Sequence, residues 1–345
     1  MLSKSLSQLI VGFIAGVILC CLLFAWILRN QIQSMSGQVD VVQLKFAHVL
    51  PTNHPVHKGI VHMANRLKEI SGGKMDLVIF PSGQMGDETK CIEQVQIGTL
   101  AMTKTSTAPM GNFVELMKVF SLPYLFRSAE HFWRVLDGEI GQEMLVRLAT
   151  HDDGSATGFI GLGYFDSGSR NFYSKEPILS PADMVGKKFR VMRDPVAMDM
   201  VEALGGSPTP IPWGELYTAL KQGVVDGAEN NPPSIVSSRH SEVCKYLTLD
   251  AHSRIPDVVI ISEKVWNRLS LQEQEWLKAA MQEGNRKQRE IWKKSTAEAL
   301  EQMKREGVKI IEVDQDPFKE AVASVIEKHA VGSLKDVYNR IQLVE

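Results

Sequence analysis

Cysteine is scarce in this sequence, and its spacing excludes the common metal and redox motifs. Only four cysteines occur in 345 residues, and no two of them form a CxxC pair. Cys91 and Cys244, the two that follow the N-terminal segment, are far apart in the chain. Zinc ligation and thioredoxin-like chemistry are therefore not indicated. Two free buried thiols and one disulfide both remain open for this pair.

An excess of charge of either sign is also absent. Lys and Arg total 38 and Asp and Glu total 40, which gives a formal net charge of -2. Without a basic field there is nothing to gather phosphate backbones, so nucleic acid is not an expected partner. The hydrophobic fraction of 44% and the charged fraction of 23% are those of an ordinary folded protein, and they argue against long disordered stretches.

Motifs of catalysis and cofactor binding are missing as well. No GxSxG, Walker or HExxH pattern occurs. The GLG at residues 161–163 lacks the remaining glycine of a dinucleotide fingerprint, and His54, His57 and His62 have no acidic partner within the same turn. The sequence therefore predicts neither an enzyme nor a bound metal or cofactor.

One long hydrophobic run stands near the N-terminus. Residues 9–28 carry no charge, with Lys4 before them and Arg29 after them. A run of about 20 apolar residues crosses a hydrocarbon core as a helix. No clear small-x-small cleavage site follows, so an uncleaved anchor and a signal sequence both remain open. Lipid attachment at Cys20 or Cys21 is disfavoured because Leu or Cys precedes each of them.

After residue 41, strand-like and helix-like segments alternate. VVQLKFAHVL and MDLVIFP have the β-branched and aromatic content of strands, whereas VHKGIVHMANRLKEISGG and GDETKCIEQVQIG have helical spacing and end at glycine. Such alternation predicts an α/β lobe with a largely parallel sheet. The pattern starts again near GSATGFIGLGYF, which predicts a second α/β lobe. Residues 270–306 form one amphipathic stretch, long enough for a helix that spans both lobes.

The most informative stretch is residues 168–233. It contains GSRNFYSKEP, GKKFRVM and LGGSPTPIPWGELYTALKQGVVDGAENNPPS in this order, and LKFAHVLP, FPSGQMGDE and FSLPYLF precede it. Together these motifs resemble the solute-binding component of the tripartite ATP-independent periplasmic (TRAP) transporters, from about residue 44 to the C-terminal region. DGEIGQE, GSRNFYSK and GAENNPPS are most similar to members that bind sugar acids.

The resemblance implies an α/β, two-lobed periplasmic binding protein fold with a hinge and a long C-terminal helix across both lobes. It implies that residues 1–40 form the N-terminal signal or membrane helix and its tether. The first lobe is expected at 41–167, with 256–295 returning to it. The second lobe is expected at 168–255, with 296–345 packed on it.

The resemblance also implies a function. A small organic acid, with uronates and aldonates as the leading candidates, binds between open lobes that then close. Small and large integral membrane subunits then use an ion gradient to import it. No cofactor and no covalent step belong to this mechanism. The expected location is the periplasm of a Gram-negative bacterium, with the chain secreted across or anchored to the inner membrane.

Three residues match the carboxylate anchor of this family. Arg190 in GKKFRV takes the position of the arginine whose planar fork binds the ligand carboxylate through two charge-assisted hydrogen bonds. Arg170 in GSRNF matches a second arginine near the same carboxylate, and Asn230 in GAENNP matches the amide that completes the pocket.

Five further residues are candidate ligand contacts. Trp213 in IPWGE matches an aromatic side chain that packs against the ligand, and a core aromatic is the alternative. Glu88, Ser106 and His252 match positions that line the far end of the pocket in some relatives and bind hydroxyl groups. His48 follows the first strand, whose end opens toward the cleft in this architecture. A local structural role is the alternative for the last four.

Two other functions stay open. The first is a membrane-tethered sensor, whose apolar segment is retained and which binds an organic acid such as a C4-dicarboxylate or a keto acid. The second is an enzyme that acts on sugar acids. An enzyme would require paired acids, a metal site or a cofactor loop in the cleft, and the sequence shows none of these.

Overall fold

The structure, a computed structural model, describes residues 2–35 and 41–345. The N-terminal residues up to Val42 form one compact unit and Gln43–Glu345 form another. In the first unit, helix α1 (Leu2–Met35) contains a window, Val11–Asn30, of mean hydropathy 2.8 that is long and apolar enough to cross a membrane. The predicted apolar N-terminal helix is therefore confirmed, and the choice between signal and anchor stays a prediction.

The tether predicted between this helix and the folded body begins later than residue 30. Helix α1 continues to Met35 because no Gly or Pro interrupts the sequence NQIQSM. The rest of the tether, residues 36–40, lies outside the described residues.

The remaining described chain is built on two β-sheets, one of five strands and one of six. The first sheet has the strand order β2 (Met75–Phe80), β1 (Val42–Ala47), β3 (Met102–Ser106), β10 (Asp257–Ser262) and β4 (Phe159–Phe165). The second sheet has the order β11 (Lys309–Glu312), β9 (Tyr246–Ser253), β5 (Arg170–Ser174), β8 (Gly227–Asn230), β6 (Lys188–Val191) and β7 (Ser207–Pro210).

Both sheets are mixed, whereas the alternation predicts a largely parallel sheet for the first lobe. Strand β1 pairs with β3 in parallel, whereas β10 is antiparallel to both of its neighbours. Strand β5 is likewise antiparallel to β8 and β9. The chain passes from β4 of the first sheet to β5 of the second through the short segment 166–169, and from β9 back to β10 through the short segment 254–256. These segments therefore lack the helical crossover that a parallel connection requires.

Helices cover both sheets. The longer ones are α2 (Pro55–Ile70), α3 (Glu88–Ile97), α5 (Ala129–Asp137), α6 (Glu139–Arg147), α7 (Pro195–Ala203), α8 (Trp213–Gln222), α11 (Leu271–Arg305), α12 (Asp316–His329) and α13 (Gly332–Leu343). The shorter ones are α4 (Thr107–Met110), α9 (Pro232–Ser237) and α10 (Glu263–Trp266), with 3-10 turns at Glu115–Ser121, Pro181–Met184 and His240–Glu242.

The long helix α11 contacts elements of both sheets. It begins with a capping box, in which Ser270 Oγ accepts from the Glu273 N–H and the Glu273 carboxylate accepts from the Ser270 N–H at 2.7 Å. On the side of the first sheet α11 packs against α2 and β4, and on the side of the second it packs against α9 and β11. The prediction of a long C-terminal helix that spans both lobes is confirmed.

The two segments that cross between the sheets are joined to α11 and to each other. Gln288 of α11 is fully buried and hydrogen-bonds both the N–H and the carbonyl of Asp166, each at 2.8 Å. Arg254, in the other crossing segment, contacts the Asp166 carboxylate at 3.2 Å. The two-lobed fold with a hinge is thus confirmed, and the lobe boundaries at 41–167 and 168–255 stay a prediction.

The two C-terminal helices lie on different parts of the body. Helix α12 packs against α7 and β9, whereas α13 packs against α6 and the 3-10 turn Glu115–Ser121. The packing of α13 therefore differs from the expectation that residues 296–345 pack on the second lobe. Helix α13 buries Leu334, Val337 and Ile341, and the carbonyl of Ile341 lies 3.0 Å from His131 Nε2.

Helices α2 and α11 approach closely because glycine stands on both of them. A Cβ at Gly59 would lie 2.6 Å from the Cβ of Gln288, and one at Gly284 would lie 2.8 Å from the Cβ of Met63. We expect Gly59→Val to lower the free energy of unfolding by about 2 to 3 kcal/mol, because the added carbons overpack this interface. Urea denaturation measures the change.

The matched control is Gly214→Val on α8, where an added Cβ meets no atom within 4 Å. Its free energy of unfolding should change by less than about 1 kcal/mol, because the residue is exposed and helical. Equal losses in the two variants would contradict the argument from close packing.

Candidate functional site

One pocket is lined by residues from both sheets and from the loops and helices next to their strands. Its polar and charged lining residues are His54, Glu88, Lys104, Ser106, Ser167, Arg170, Arg190, Asn230, Asn231, Ser234 and Asp257. Its apolar and aromatic lining residues are Val49, Leu50, Met192, Trp213 and Trp292. Of the residues singled out in the sequence, Arg190, Arg170, Asn230, Trp213, Glu88 and Ser106 line this pocket, whereas His48 and His252 do not.

Arg190 is a buried cation with hydrogen-bonding capacity left over. It stands within β6 and is 3% exposed. Its Nε donates to the carbonyl of Ile211 at 2.8 Å, and its Cζ lies 5.5 Å from the centroid of the Trp213 ring. Burial lowers its pKa, and within the described residues no carboxylate pairs with it and no acceptor meets its buried Nη1. A buried donor without a partner is costly, so this atom is suited to an acceptor that enters the pocket.

Arg170 differs from Arg190 because its charge is already compensated. It is the first residue of β5, and its Nε and Nη2 both contact the carboxylate of Glu229, with Nη2 at 2.8 Å from Oε1. Its Nη1 donates to Asn230 Oδ1 at 3.2 Å. Burial acts to raise the pKa of Glu229, but Arg170 and His252 lower it to about 2. The carboxylate therefore stays ionised and fixes the guanidinium in the pocket wall.

Asn230 lines the pocket with its side-chain oxygen already occupied. Its Oδ1 accepts from Arg170 Nη1. It also accepts from the backbone N–H and from the side-chain amide of Asn231, both at 2.9 Å. Within the described part of the chain, Asn230 Nδ2 makes no hydrogen bond. The same network binds Asn231 Nδ2 to the carbonyl of Ser167 at 2.7 Å, which connects the pocket to the crossing segment.

His252 lies behind the pocket wall instead of on its surface. Its Nδ1 lies 2.7 Å from Asp250 Oδ2 and its Nε2 lies 3.5 Å from Glu229 Oε2. Burial acts to lower its pKa, but Asp250 and Glu229 raise it to about 9. The ring is therefore a buried cation held between two carboxylates, and it contacts Glu229, the partner of Arg170.

His48 also lies outside the lining, where it has local partners. Its Nδ1 accepts from the N–H of Leu50 at 3.2 Å, and its Nε2 lies 3.0 Å from His57 Nδ1. Burial lowers its pKa to about 3. His54, for which the sequence indicated no role, does line the pocket, and its Nε2 lies 3.0 Å from Ser234 Oγ.

The wall formed by the first sheet contains a cluster of three charged side chains, Glu88, Lys104 and Asp257. Lys104 Nζ lies 2.9 Å from Asp257 Oδ2 and 3.8 Å from Glu88 Oε1. Glu88 Oε1 also accepts from the N–H of Ser106 at 3.1 Å. Burial raises the pKa of Asp257, and Lys104 opposes this shift. Ser106 itself is the N-cap of α4 and lies directly opposite Asp257 in the β3/β10 pairing.

Sequence reasoning did not find Lys104, Asp257 or Glu229 as parts of this site. One signal for Lys104 was present, because it is a charged residue within a strand-like segment, TLAMTKTS, and every residue of β3 is buried. Glu229 directly precedes Asn230 in the motif GAENNP. Asp257 has no local signal, since only its register against Ser106 brings it to the pocket.

Cys91 and Cys244 do not pair. Both thiols are free and buried, Cys91 on α3 beside the first sheet and Cys244 in the core of the second. Burial is the largest effect on each thiol and raises each pKa to about 12, so neither is a reactive thiolate.

The described body has two mixed β-sheets that are covered by helices and joined by two crossing segments, and residues of both sheets line one polar pocket. This arrangement defines a two-lobed binding protein. The family of bacterial extracellular solute-binding proteins, family 7 (DctP), matches residues 46–332. The chain belongs to this family, which supplies the solute-binding proteins of TRAP transporters.

Solved structures of TRAP periplasmic solute-binding proteins are similar to this chain over most of its length. The protein from Pseudomonas putida F1, with bound D-glucuronate, is 36% identical, covers 88% of this chain and 98% of its own, and has a TM-score of 0.84. The protein from Bradyrhizobium sp. BTAi1, with D-galacturonate, is 37% identical, with coverage of 87% and 99% and a TM-score of 0.83. The protein from Polaromonas sp. JS666, with D-erythronate, is 35% identical, with coverage of 88% and 99% and a TM-score of 0.84.

The buried network of His252 predicts a loss of stability at alkaline pH. The pKa of this ring is raised from 6.5 to about 9, so the folded protein holds the proton more tightly than the unfolded chain. This contribution is complete below pH 6.5 and is lost as the pH rises toward 9. We expect the free energy of unfolding to fall by up to about 3 kcal/mol across this range. Denaturant titrations at a series of pH values measure the slope.

His252→Gln removes the titrating group, so this variant should be less stable at pH 6.5 and should show a flatter dependence between pH 6.5 and 9. The control His151→Gln changes a residue in a surface turn away from the network and should keep the wild-type slope. A wild-type slope in His252→Gln would show that His252 is not the source of the pH dependence.

Proposed function

We propose that this chain is the periplasmic receptor of a TRAP transporter and captures a small organic acid, with Arg190 as the main carboxylate contact. The observation that carries the proposal is the buried Nη1 of Arg190, which has no hydrogen-bond partner in the described part of the chain and stands in a pocket that both sheets line. A carboxylate can accept two parallel hydrogen bonds from the planar guanidinium of arginine. No other side chain offers this paired geometry.

The ligand that the pocket favours is a sugar acid, either a uronate or an aldonate. Beside Arg190, the amide of Asn230 and the fixed guanidinium of Arg170 serve the same carboxylate. Glu88 and Ser106 are suited to hydroxyl groups, and Trp213 gives apolar area for a sugar carbon face. The acids bound in the three similar structures support this class, since all are polyhydroxylated and carry one carboxylate.

His252 and His48 act indirectly in this proposal. His252 orients Glu229 and through it Arg170, since it contacts Glu229 and not the pocket. His48 supports the loop that follows β1, through its bond to the N–H of Leu50, which lines the pocket.

Capture proceeds by closure of the lobes, 41–167 with 256–295 against 168–255, around the hinge formed by the crossing segments. The closed form is recognised by the small and large membrane subunits, which use an ion gradient for uptake. The chain is a receptor and not an enzyme, because capture needs no covalent step and no cofactor. Helix α1 serves as the signal or anchor that delivers the body to the periplasm of a Gram-negative bacterium.

The anchor role of Arg190 is tested by substitution. Arg190→Ala should weaken binding of D-glucuronate or D-galacturonate by about 3 to 5 kcal/mol, because the carboxylate loses its partner in a poorly hydrated cleft. Arg190→Lys should restore only part of the affinity, since lysine keeps the charge and lacks the fork. Isothermal titration calorimetry measures both, after a thermal-shift screen of sugar acids and other organic acids has chosen the ligand.

Arg147→Ala is the matched control. This arginine is 38% exposed and pairs with Asp152 at 2.7 Å on the surface, so its loss should change the binding energy by no more than about half a kcal/mol. Unchanged affinity in Arg190→Ala, or a comparable loss in Arg147→Ala, would refute the assignment.

A further inference from the structure

We infer that the cluster of Glu88, Lys104 and Asp257 makes this receptor selective for sugar acids with one carboxylate and excludes the corresponding diacids. The inference rests on the proposed function, because it concerns the part of the ligand that does not contact Arg190.

The cluster and the carboxylate anchor stand on different walls of the pocket. Lys104 lies on β3, Asp257 begins β10 and Glu88 begins α3, so all three belong to the first sheet and its layer. Arg170 and Arg190 belong to the second sheet. A ligand held by Arg190 therefore meets the cluster with another part of its surface.

The two walls carry opposite local charge. When all three members of the cluster are ionised, two carboxylates surround one ammonium group, so this wall has a net charge of about −1. On the second sheet the charge of Arg170 is cancelled by Glu229, whereas Arg190 forms no ion pair with any carboxylate among residues 2–35 and 41–345. The pocket thus orients an anion with its carboxylate toward the second sheet.

The hydrogen-bonding capacity of the cluster points to hydroxyl groups. All contacts of the Glu88 side chain within the described residues are made by Oε1, and the ion pair of Asp257 is made by Oδ2. The other oxygen of each carboxylate is an acceptor that a ligand O–H can meet. A second carboxylate on the ligand has no proton to donate, so it would meet these oxygens as a like charge.

Lys104 does not offset the repulsion between these acids and a second carboxylate on the ligand. Its ammonium group is 2.9 Å from Asp257 and 3.8 Å from Glu88, so any anion that reaches it also approaches both acids. Lys104 is 4% and Asp257 5% exposed, which leaves little water to screen the repulsion.

The test compares matched acids on the wild-type protein by calorimetry. One pair is D-erythronate and meso-tartrate, in which a terminal CH2OH becomes a carboxylate. The other compares D-glucarate with D-gluconate, which has the same open chain and a terminal CH2OH, and with the cyclic D-glucuronate. In the pair whose monoacid binds more tightly, we expect the diacid to bind about 100-fold more weakly. Equal or tighter binding of the diacid would overturn this inference and leave the proposed acid receptor intact. Failure of all the sugar acids and other organic acids of the thermal-shift screen to bind would overturn the proposed function and this inference with it.

Two substitutions assign the effect to the cluster. Glu88→Gln removes one negative charge and keeps an oxygen for the N–H of Ser106, so the preference for the monoacid should shrink by about tenfold or more. The control Glu93→Gln makes the same change on an exposed face of α3 and should leave the preference unchanged. Asp257→Asn is a second variant in case Glu88→Gln does not fold, as judged by thermal melting. If folded variants of the cluster show the same preference as Glu93→Gln, the inference is refuted.

Discussion

Two guanidinium groups buried in one pocket repel each other, and the carboxylate of Glu229 is the group that offsets this repulsion. After burial itself, Glu229 is the largest influence on the pKa of Arg190, which it raises while Arg170 lowers it. Removing an unpaired charge from water costs several kcal/mol. Because Glu229 pairs directly with Arg170, the protein itself offsets the cost of removing the Arg170 charge from water. Arg190 keeps its hydrogen-bonding capacity. In the proposed function, the affinity of the pocket for an anionic ligand therefore depends on Glu229, an anion of the protein itself.

The fold secures this internal anion from several directions. Glu229 lies on β8 between β5 and β6, where all residues are buried, and it stands opposite Phe172 in the antiparallel pairing. Gly227 permits the close approach of β5, since a Cβ there would lie 2.6 Å from the carbonyl of Tyr173. Behind Glu229, His252 and Asp250 continue an alternation of charges that begins at Arg170. An alternating network of this kind satisfies each member with a partner of opposite sign, so the arginine geometry is set before any ligand arrives.

The sequence predicted the two α/β lobes, the apolar N-terminal helix and the long helix α11, because these depend on local periodicity and composition. The resemblance of its motifs to the TRAP solute-binding family also predicted a shared pocket for Arg190, Arg170, Asn230, Trp213, Glu88 and Ser106, and the structure brings them to one pocket. The sequence did not predict the partners of these residues. Asp257 reaches Lys104 only through the register of β3 against β10, and such register is invisible in a single sequence. His252 illustrates the same limit, since strand periodicity cannot tell whether a buried side chain faces a pocket or the network behind it.

The charge balance of the pocket indicates how capture and closure are connected. Arg170, Arg190 and Lys104 are balanced by Glu88, Glu229 and Asp257, so the site has little net field to attract an acid from a distance. Affinity must then come from groups at contact distance, and these belong to two sheets joined by the segments that Gln288 and Asp166 hold to α11. A solute that meets both walls stabilises only the arrangement in which the walls are close. In the proposed mechanism, recognition of the acid and closure of the lobes are therefore one equilibrium, in which Arg190 gains an acceptor as water leaves the cleft.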